Sequence, residues 1–387
     1  MKKKIAILGS TGSIGKTLIN FLKSNKNNIS ILLLSTNKNF KEIIIQAKFF
    51  NVKNLIITDK KIYDYVKNKK KFSRFKIYNN FNSFNKIFYR KIDYVMSSIS
   101  GLDGLIPTLK IIKFTKTIAI ANKESIICGW GLINKELSKN KTSFIPVDSE
   151  HFSIWYALKN INKKLIDKIF ITASGGPFNK TKISDLKFVK KSQALKHPNW
   201  RMGKKITIDS STMINKLFEI IEAKNIFNIS YNKISIIIHP ESYIHCIIKF
   251  KNGLIKIVAH DTTMLIPISN SINFLNESYV KSDEVKISKL NNLTFEKLDE
   301  NKFKIQKILD LIPENHSLFE TILVSANDTL VNLYLNEKIG FTDIKKELIN
   351  FLSLSEFTKF KRKVPSKISQ IIELSKYVSL KLQKKYV

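Results

Sequence analysis

The sequence predicts an α/β protein: a doubly wound parallel sheet at the N-terminus, an α+β region after it, and a helical C-terminal end. Three observations carry this. Short apolar strands alternate with helical stretches up to Val147, strand-like runs then stand among long loops, and from Lys302 the pattern is helical to the end. Strands alternating with helices imply parallel pairing through crossover helices. Strands that are apolar throughout belong in a sheet covered on both faces.

The elements follow in order. Ile5–Leu8 leads through a Gly-rich turn into a helix, Lys16–Ser24. Next come Ile29–Leu34, a helix near Phe40–Phe49, and Leu55–Thr58. Further strands read at Asp93–Ser97, Thr117–Ile120 and Ser143–Val147, with helices between. Beyond Asp148, strand-like runs occur at Lys168–Ala173, Ile234–His239 and Leu254–Val258. Residues 273–301 are polar and weakly periodic, as in a linker, and the helical end breaks at Pro313. At 387 residues the chain has room for two or three domains, and 43% hydrophobic content is enough to build their cores.

Lys plus Arg number 66 against 31 for Asp plus Glu, a formal net charge of +35. Such a balance raises nucleic-acid binding as a reading. The excess is spread along the chain and is nearly all lysine, the arginines being Arg74, Arg90, Arg201 and Arg362. Arginine makes the commonest base-specific contact, so a sequence-specific nucleic-acid partner is not expected. No apolar run reaches membrane-span length, and none is expected to enter a bilayer. Ile5–Leu8, after the basic start, is too short for a signal-peptide core. Cys128 and Cys246 form no CxxC, which excludes a disulfide framework and fits a reducing cytoplasm.

The stretch "ILGSTGSIGKTL" joins the first strand to the first helix, with Gly9, Gly12 and Gly15 spaced GxxGxxG. Glycines in that context allow a tight turn and close approach of backbone to a pyrophosphate at the helix N-terminus, a Rossmann-like arrangement. An NAD site places Asp or Glu at the end of the second strand, about 20 residues on. Here that strand ends "LLSTNKNF", and Asn37, Lys38 and Asn39 offer amides and a cation suited to the 2′-phosphate of NADPH. Lys38 could equally be one more surface lysine.

Two strand ends carry polar clusters where open α/β sheets bind ligands. "IANKES" supplies Asn122, Lys123 and Glu124, of which Asn122 also reads as a helix cap. "FIPVDSEH" supplies Asp148, Ser149 and Glu150. Two acids so close repel unless a cation or proton lies between them, although acids also suit a helix N-terminus. In "DSSTMINKLFEIIEA", Asn215, Glu219 and Glu222 share one helix face. Glu219 sits among apolar neighbours, so it is either surface-facing or paired. Asp148, Glu150 and Glu219, with no cysteine among them, fit one hard divalent cation, Mg²⁺ or Mn²⁺. Ser174, Ser210 and Lys216 add hydroxyls and an ammonium for a phosphate monoester. His197 and Trp200, in "HPNW", read as a proton carrier and an aromatic cover.

"GSTGSIG", "SGLDGLIPTL", "ANKES", "PVDSEH", "SGGPF", "HPNWRMGKKITIDSSTMINK", "IHPESYIH" and "GFTDI" occur in that order and span essentially the whole chain. Together they resemble the 1-deoxy-D-xylulose 5-phosphate reductoisomerases. The resemblance implies an NADPH-binding domain over 1–149, a catalytic and dimerisation domain over 150–273, a linker over 274–300 and a helical bundle over 301–387. It implies a cytoplasmic homodimer that rearranges and reduces its phosphorylated substrate to 2-C-methyl-D-erythritol 4-phosphate. The implied metal ligands are Asp148, Glu150 and Glu219, with Co²⁺ a further possible ion. Implied substrate contacts are Lys123, Ser149, Ser174, His197, Ser210, Asn215 and Lys216, the lid residues Trp200 and Met202, and His239. Catalysis falls to Lys123, His197 and the metal ligands. Implied cofactor contacts are Thr11, Gly12, Ser13 and Ile14, then Asn37, Lys38 and Asn39, and finally Asn122, Glu124, Gly203 and Met264.

Three departures from the family pattern stand out. Asn37 replaces a glycine, where a left-handed backbone would pass to the next most tolerant residue. Leu217 adds bulk beside Lys216. "HDTTMLIPI", His260–Ile268, lacks a Gly, an Asp and an Arg while keeping Met264 and Pro267. A different NADP oxidoreductase, with a nucleophilic cysteine, is the rival enzyme reading.

Overall fold

The computed structural model describes residues 2–272, 280 and 282–386. They form two compact units. One comprises Met1–Ser125, Ile133–Phe152 and Met264–Ser282, the other Ile126–Leu132, Ser153–Thr263 and Asp283–Val387.

The first unit is built on strands β1 (Lys3–Leu8), β2 (Ile29–Thr36), β3 (Asn54–Ile57), β4 (Lys76–Tyr78), β5 (Ile92–Ser97), β6 (Thr115–Ile120) and β7 (Ser143–Pro146). Their order is β4-β3-β2-β1-β5-β6-β7, and every pairing is parallel. The order reverses between β1 and β5, the place where doubly wound sheets open a crevice. Ile5–Leu8 and Tyr94–Met96 are fully buried there, as strands apolar on both faces should be. Six of these strands lie within two residues of their expected ends, and β4 was not anticipated, being only three residues long. Leu8 pairs with Ser97, Ser97 with Ile120, and Ile120 with Pro146, so the loops after β1, β6 and β7 open on one rim. Helix Leu265–Asn270 packs on helix Ser13–Lys23, and Ser271 Oγ lies 2.6 Å from the Tyr94 hydroxyl.

The second unit holds a mixed sheet of β8 (Ile166–Ala173), β9 (Ile234–Ile238), β10 (Ile244–Phe250), β11 (Ile255–Ala259) and β12 (Glu296–Lys297), in the order β11-β10-β8-β9-β12. Only β8 and β9 run parallel. The strands β10 and β12 were expected as loop and linker. Residues 274–279 and 281 of the expected linker lie outside the described residues. Of the remainder, Ile287–Asn291 is a short helix and β12 pairs with β9.

Helix Ile214–Phe227 packs on β8 and β9, and helix Lys204–Ser211 packs on Phe319–Leu335, which also meets Phe341–Leu352 and Ile368–Gln383. The seam to Lys204–Ser211 is polar. Lys205 Nζ reaches Asp209 at 2.8 Å and Asp328 at 2.9 Å, and the Asn327 amide donates to Asp209 at 2.8 Å. A second polar seam is made of lysines. Lys345 Nζ donates to the Lys302 carbonyl at 2.7 Å and lies 5.0 Å from the Phe303 ring centre. Lys302 Nζ in turn donates to the Asn179 carbonyl at 2.7 Å. Burial first, then the charges of Lys304 and Lys302, pushes Lys345 down to about 8. Among the described residues no helix is long and apolar enough to cross a membrane.

Candidate active site

The turn after β1 is shaped by close approach. Gly9 has φ +82, and a Cβ there would lie 2.8 Å from the Ser98 carbonyl oxygen. The helix it feeds begins at Ser13, earlier than expected, with Gly12 at its N-cap, no side chain capping it and no acid in its first turn. Uncapped amides at a helix start are anion-binding groups. Thr11 Oγ1 is 2.7 Å from Thr36 Oγ1, which ties this turn to the end of β2. There Asn37 does not take a left-handed φ, against expectation. Its amide donates to Thr58 Oγ1 at 2.8 Å, an interaction that fixes the side chain without the glycine-like backbone. Asn39 caps helix Phe40–Phe50, and Lys38, 75% exposed, reaches Asp59 at 3.9 Å.

At the ends of β6 and β7 the acids meet their partners. Asn122 caps helix Lys123–Lys139 by accepting from the Ser125 amide at 2.6 Å, and its own amide donates to the Gly101 carbonyl at 2.7 Å. Lys123 Nζ lies 3.1 Å from Asp148 Oδ2, and His151 Nδ1 lies 3.1 Å from the same oxygen. Ser149 Oγ donates to Glu150 Oε2 at 2.6 Å. Asp148 and Glu150 bring carboxylate oxygens within 4.8 Å of each other. Two carboxylates that close, one of them buried, ionise together only with positive charge beside them. All-oxygen donors, one of them oriented by a histidine, fit Mg²⁺ or Mn²⁺.

The second unit carries most of the other expected residues, Met264 belonging to the first. Glu219 is 1% exposed and is paired: Lys216 Nζ donates to its Oε2 at 2.7 Å, and the Asn215 amide donates to its Oε1. Met213, at φ +64, turns helix Lys204–Ser211 into helix Ile214–Phe227, and this sets Ser210 just before Asn215 and Lys216. Leu217 is fully buried, its added bulk taken into the core. Ser174 follows β8, and its Oγ is 3.2 Å from His197 Nε2.

His197 Nδ1 accepts two backbone N–H groups, from Asn199 at 3.1 Å and Trp200 at 2.9 Å. The ring proton therefore sits on Nε2 and points at Ser174. Burial first, then the Lys216 charge, pushes His197 down to about 4. At neutral pH the ring is therefore uncharged and presents its Nε2 proton as a hydrogen-bond donor. His239, expected to contact substrate, is buried with both nitrogens committed: Nε2 accepts from the Tyr243 amide at 3.1 Å and Nδ1 lies 2.9 Å from the Thr294 carbonyl. Cys128 and Cys246 are both buried, which leaves the cysteine-nucleophile reading without an accessible thiol.

Models of this enzyme family match three stretches of the chain: 1-deoxy-D-xylulose 5-phosphate reductoisomerase over 5–130, its C-terminal domain over 144–227, and a DXP reductoisomerase C-terminal domain over 261–379. The reductoisomerase of Pelagibacter ubique is 56% identical over 382 residues, covering 98% of each chain. The chain belongs to the 1-deoxy-D-xylulose 5-phosphate reductoisomerase family.

Solved reductoisomerases share its fold. One from Zymomonas mobilis, in complex with NADPH, is 28% identical with a TM-score of 0.88, covering 100% of this chain and 99% of that one. Another, in complex with NADPH, fosmidomycin and magnesium, is 27% identical with a TM-score of 0.88, covering 99% and 98%. Within this reductoisomerase the structure adds residues that the sequence did not single out. His151 holds Asp148, and a helix-start histidine three residues after an acid was a visible signal. His245 stands edge-on to Trp200 at 6.4 Å and stacks on His260 at 3.6 Å. Nothing in the local sequence pairs those two histidines, because their contact comes from the β10–β11 hairpin.

Proposed function

We propose that Asp148, Glu150 and Glu219 hold one divalent cation and that the residues around them receive a phosphorylated substrate. The chain is an NADPH-dependent reductoisomerase that converts 1-deoxy-D-xylulose 5-phosphate to 2-C-methyl-D-erythritol 4-phosphate. The observation that carries the site is the acid pair after β7, with Lys123 arriving from the neighbouring strand end. The relative that holds NADPH, fosmidomycin and magnesium together supports the same cofactor and cation here.

Ser174, Ser210, Asn215 and Lys216 offer hydroxyl, amide and ammonium donors to the phosphate, anchoring the substrate away from its reacting carbons. Ser149 and Lys123 face the reacting end, where the Lys123 charge stabilises an oxyanion. His197 orients the substrate by donating from Nε2, while Trp200 and Met202 exclude water. The cation contributes Lewis acidity at the substrate's ketone and the nicotinamide contributes hydride. Thr11, Gly12, Ser13 and Ile14 take the cofactor's pyrophosphate on the uncapped helix start. Asn37, Lys38 and Asn39 take its 2′-phosphate, and Asn122, Glu124, Gly203 and Met264 complete its contacts. Mixing the protein with 1-deoxy-D-xylulose 5-phosphate, NADPH and Mn²⁺ should consume NADPH; no consumption, with or without added metal, sinks the assignment.

Lys38→Glu tests the cofactor half. One charge-assisted hydrogen bond contributes about 1.5–3 kcal/mol, and the new acid would also face Asp59. The KM for NADPH should rise about tenfold or more, with that for NADH nearly unchanged. Equal changes for both would remove Lys38 from the 2′-phosphate.

Homodimerisation through β11 is part of the same proposal. It is the terminal strand of its sheet, and Ile255 and Ile257 are 58% and 56% exposed on one face. An apolar edge strand left bare invites aggregation, and a second copy would cover it. Ile257→Lys should shift the protein from dimer to monomer in sedimentation velocity; a monomeric wild type would refute this. Cytoplasmic residence fits a chain whose two cysteines are buried and form no disulfide, and cell fractionation that recovers the protein elsewhere would contradict it.

A further inference from the structure

The loop between helices Lys191–Ala194 and Lys204–Ser211 carries His197, Trp200 and Met202 and has no regular structure of its own. The amides of Asn199 and Trp200 are spent on the loop's own His197 ring. Side chains therefore fasten it. One fastening is the 3.2 Å contact between His197 Nε2 and Ser174 Oγ. Both groups are assigned above to substrate, so this contact must be exchanged when substrate arrives. A second fastening is Asn199, whose amide donates to the Pro240 carbonyl at 2.6 Å and to Ser242 Oγ at 2.8 Å.

The turn that receives Asn199 is rigid. Ser242 is buried at φ +51, a conformation that persists only where surroundings enforce it. Its amide donates to the His239 carbonyl at 3.0 Å, and Thr262 Oγ1 donates to its own carbonyl at 3.0 Å. The His239 ring is held in turn by the Tyr243 amide, the Thr294 carbonyl and stacking on Phe295 at 4.9 Å. Glu241 closes the frame by accepting from Thr294 Oγ1 at 2.7 Å.

We propose that Asn199 is a positioning residue, a latch that keeps the His197–Met202 loop in place on the 240–242 turn while the Ser174–His197 contact opens to the substrate. The latch touches neither substrate nor cofactor. It sets the fraction of molecules in which His197 and Trp200 are ready, and apparent affinity falls in proportion to that fraction.

Asn199→Ala and Asn199→Asp test this, the second keeping the shape while losing both donated hydrogen bonds. Two ordinary hydrogen bonds set the population of the fastened loop by about tenfold. The KM for 1-deoxy-D-xylulose 5-phosphate should rise, by up to about tenfold, while the KM for NADPH stays unchanged. Trypsin cleavage after Arg201, followed by mass spectrometry without substrate, should quicken in both variants, its factor and the KM factor multiplying to about ten. The kinetic arm rests on the site assignment for Ser174 and His197. The proteolysis arm does not, so a protein inactive on this substrate still reports on the latch. Cleavage after Arg201 at the wild-type rate in both variants overturns the proposal, as does an equal rise in KM for substrate and cofactor.

Discussion

Glu219→Gln should lower kcat about a thousandfold, the scale of removing one charge-stabilising group from a transition-state site, and leave NADPH binding intact. Glu219 is buried, with Lys216 on one oxygen and Asn215 on the other. Glutamine fills the same volume and can still accept from one of them. What it removes is the negative charge that, in the proposed site, joins Asp148 and Glu150 in binding the cation. Turnover should recover in part as Mn²⁺ is raised. Calorimetric titration of the metal-free protein decides the matter: equal Mn²⁺ affinity in wild type and variant would place the cation elsewhere.

Lys345→Met should stabilise the protein at neutral pH, and the gain should vanish in alkali. The Lys345 pKa falls from 10.5 to about 8 on folding, chiefly through burial. At about 1.4 kcal/mol per unit, holding the charged form inside costs about 3 kcal/mol. The depressed group is basic, so between pH 8 and 10.5 the unfolded chain binds more protons than the folded one. Stability from this group therefore rises with pH across that window, and the full cost is present below it. Methionine removes the charge but leaves the Lys302 carbonyl short of a donor, which returns about 1 kcal/mol. A net gain of about 2 kcal/mol at pH 7 remains. Denaturation of both proteins from pH 7 to 10.5 is the check. Curves that stay parallel would mean that Lys345 keeps its charge throughout.

Much of the first unit was legible because its strands announce themselves. Ile5–Leu8 and Asp93–Ser97 are apolar on both faces, and that pattern survives without knowledge of neighbours. The strand β10, Ile244–Phe250, is buried at five of its seven residues, yet a histidine near its start broke the apolar run, and only its partners β8 and β11 define it as a strand. The strand β12, Glu–Lys, has no apolar content to read. In the site, Asp148 and Glu150 stood out because acids are scarce in this chain. Of their local partners, His151 left a signal in its spacing from Asp148, but whether Ser149 turns toward Glu150 is a matter of rotamer. The fate of His197 was hidden for a different reason. Its proton affinity is set by burial and by Lys216, nineteen positions away in sequence. The Asn199 fastening depends on a turn some forty residues downstream.

The N-terminal unit is discontinuous along the chain, and this matters on the ribosome. Its seven strands are complete once Pro146 has been made, but helix Leu265–Asn270 and Ser271 belong to the same unit. At a synthesis rate of about 5–20 residues per second, that closing piece emerges roughly 6 to 25 seconds later. Throughout that interval the nascent sheet lacks the cover on helix Ser13–Lys23 and the Ser271 partner of Tyr94. The order of translation thus obliges the N-terminal unit to wait, unfinished, for a segment encoded after the second unit's Ser153–Thr263 stretch.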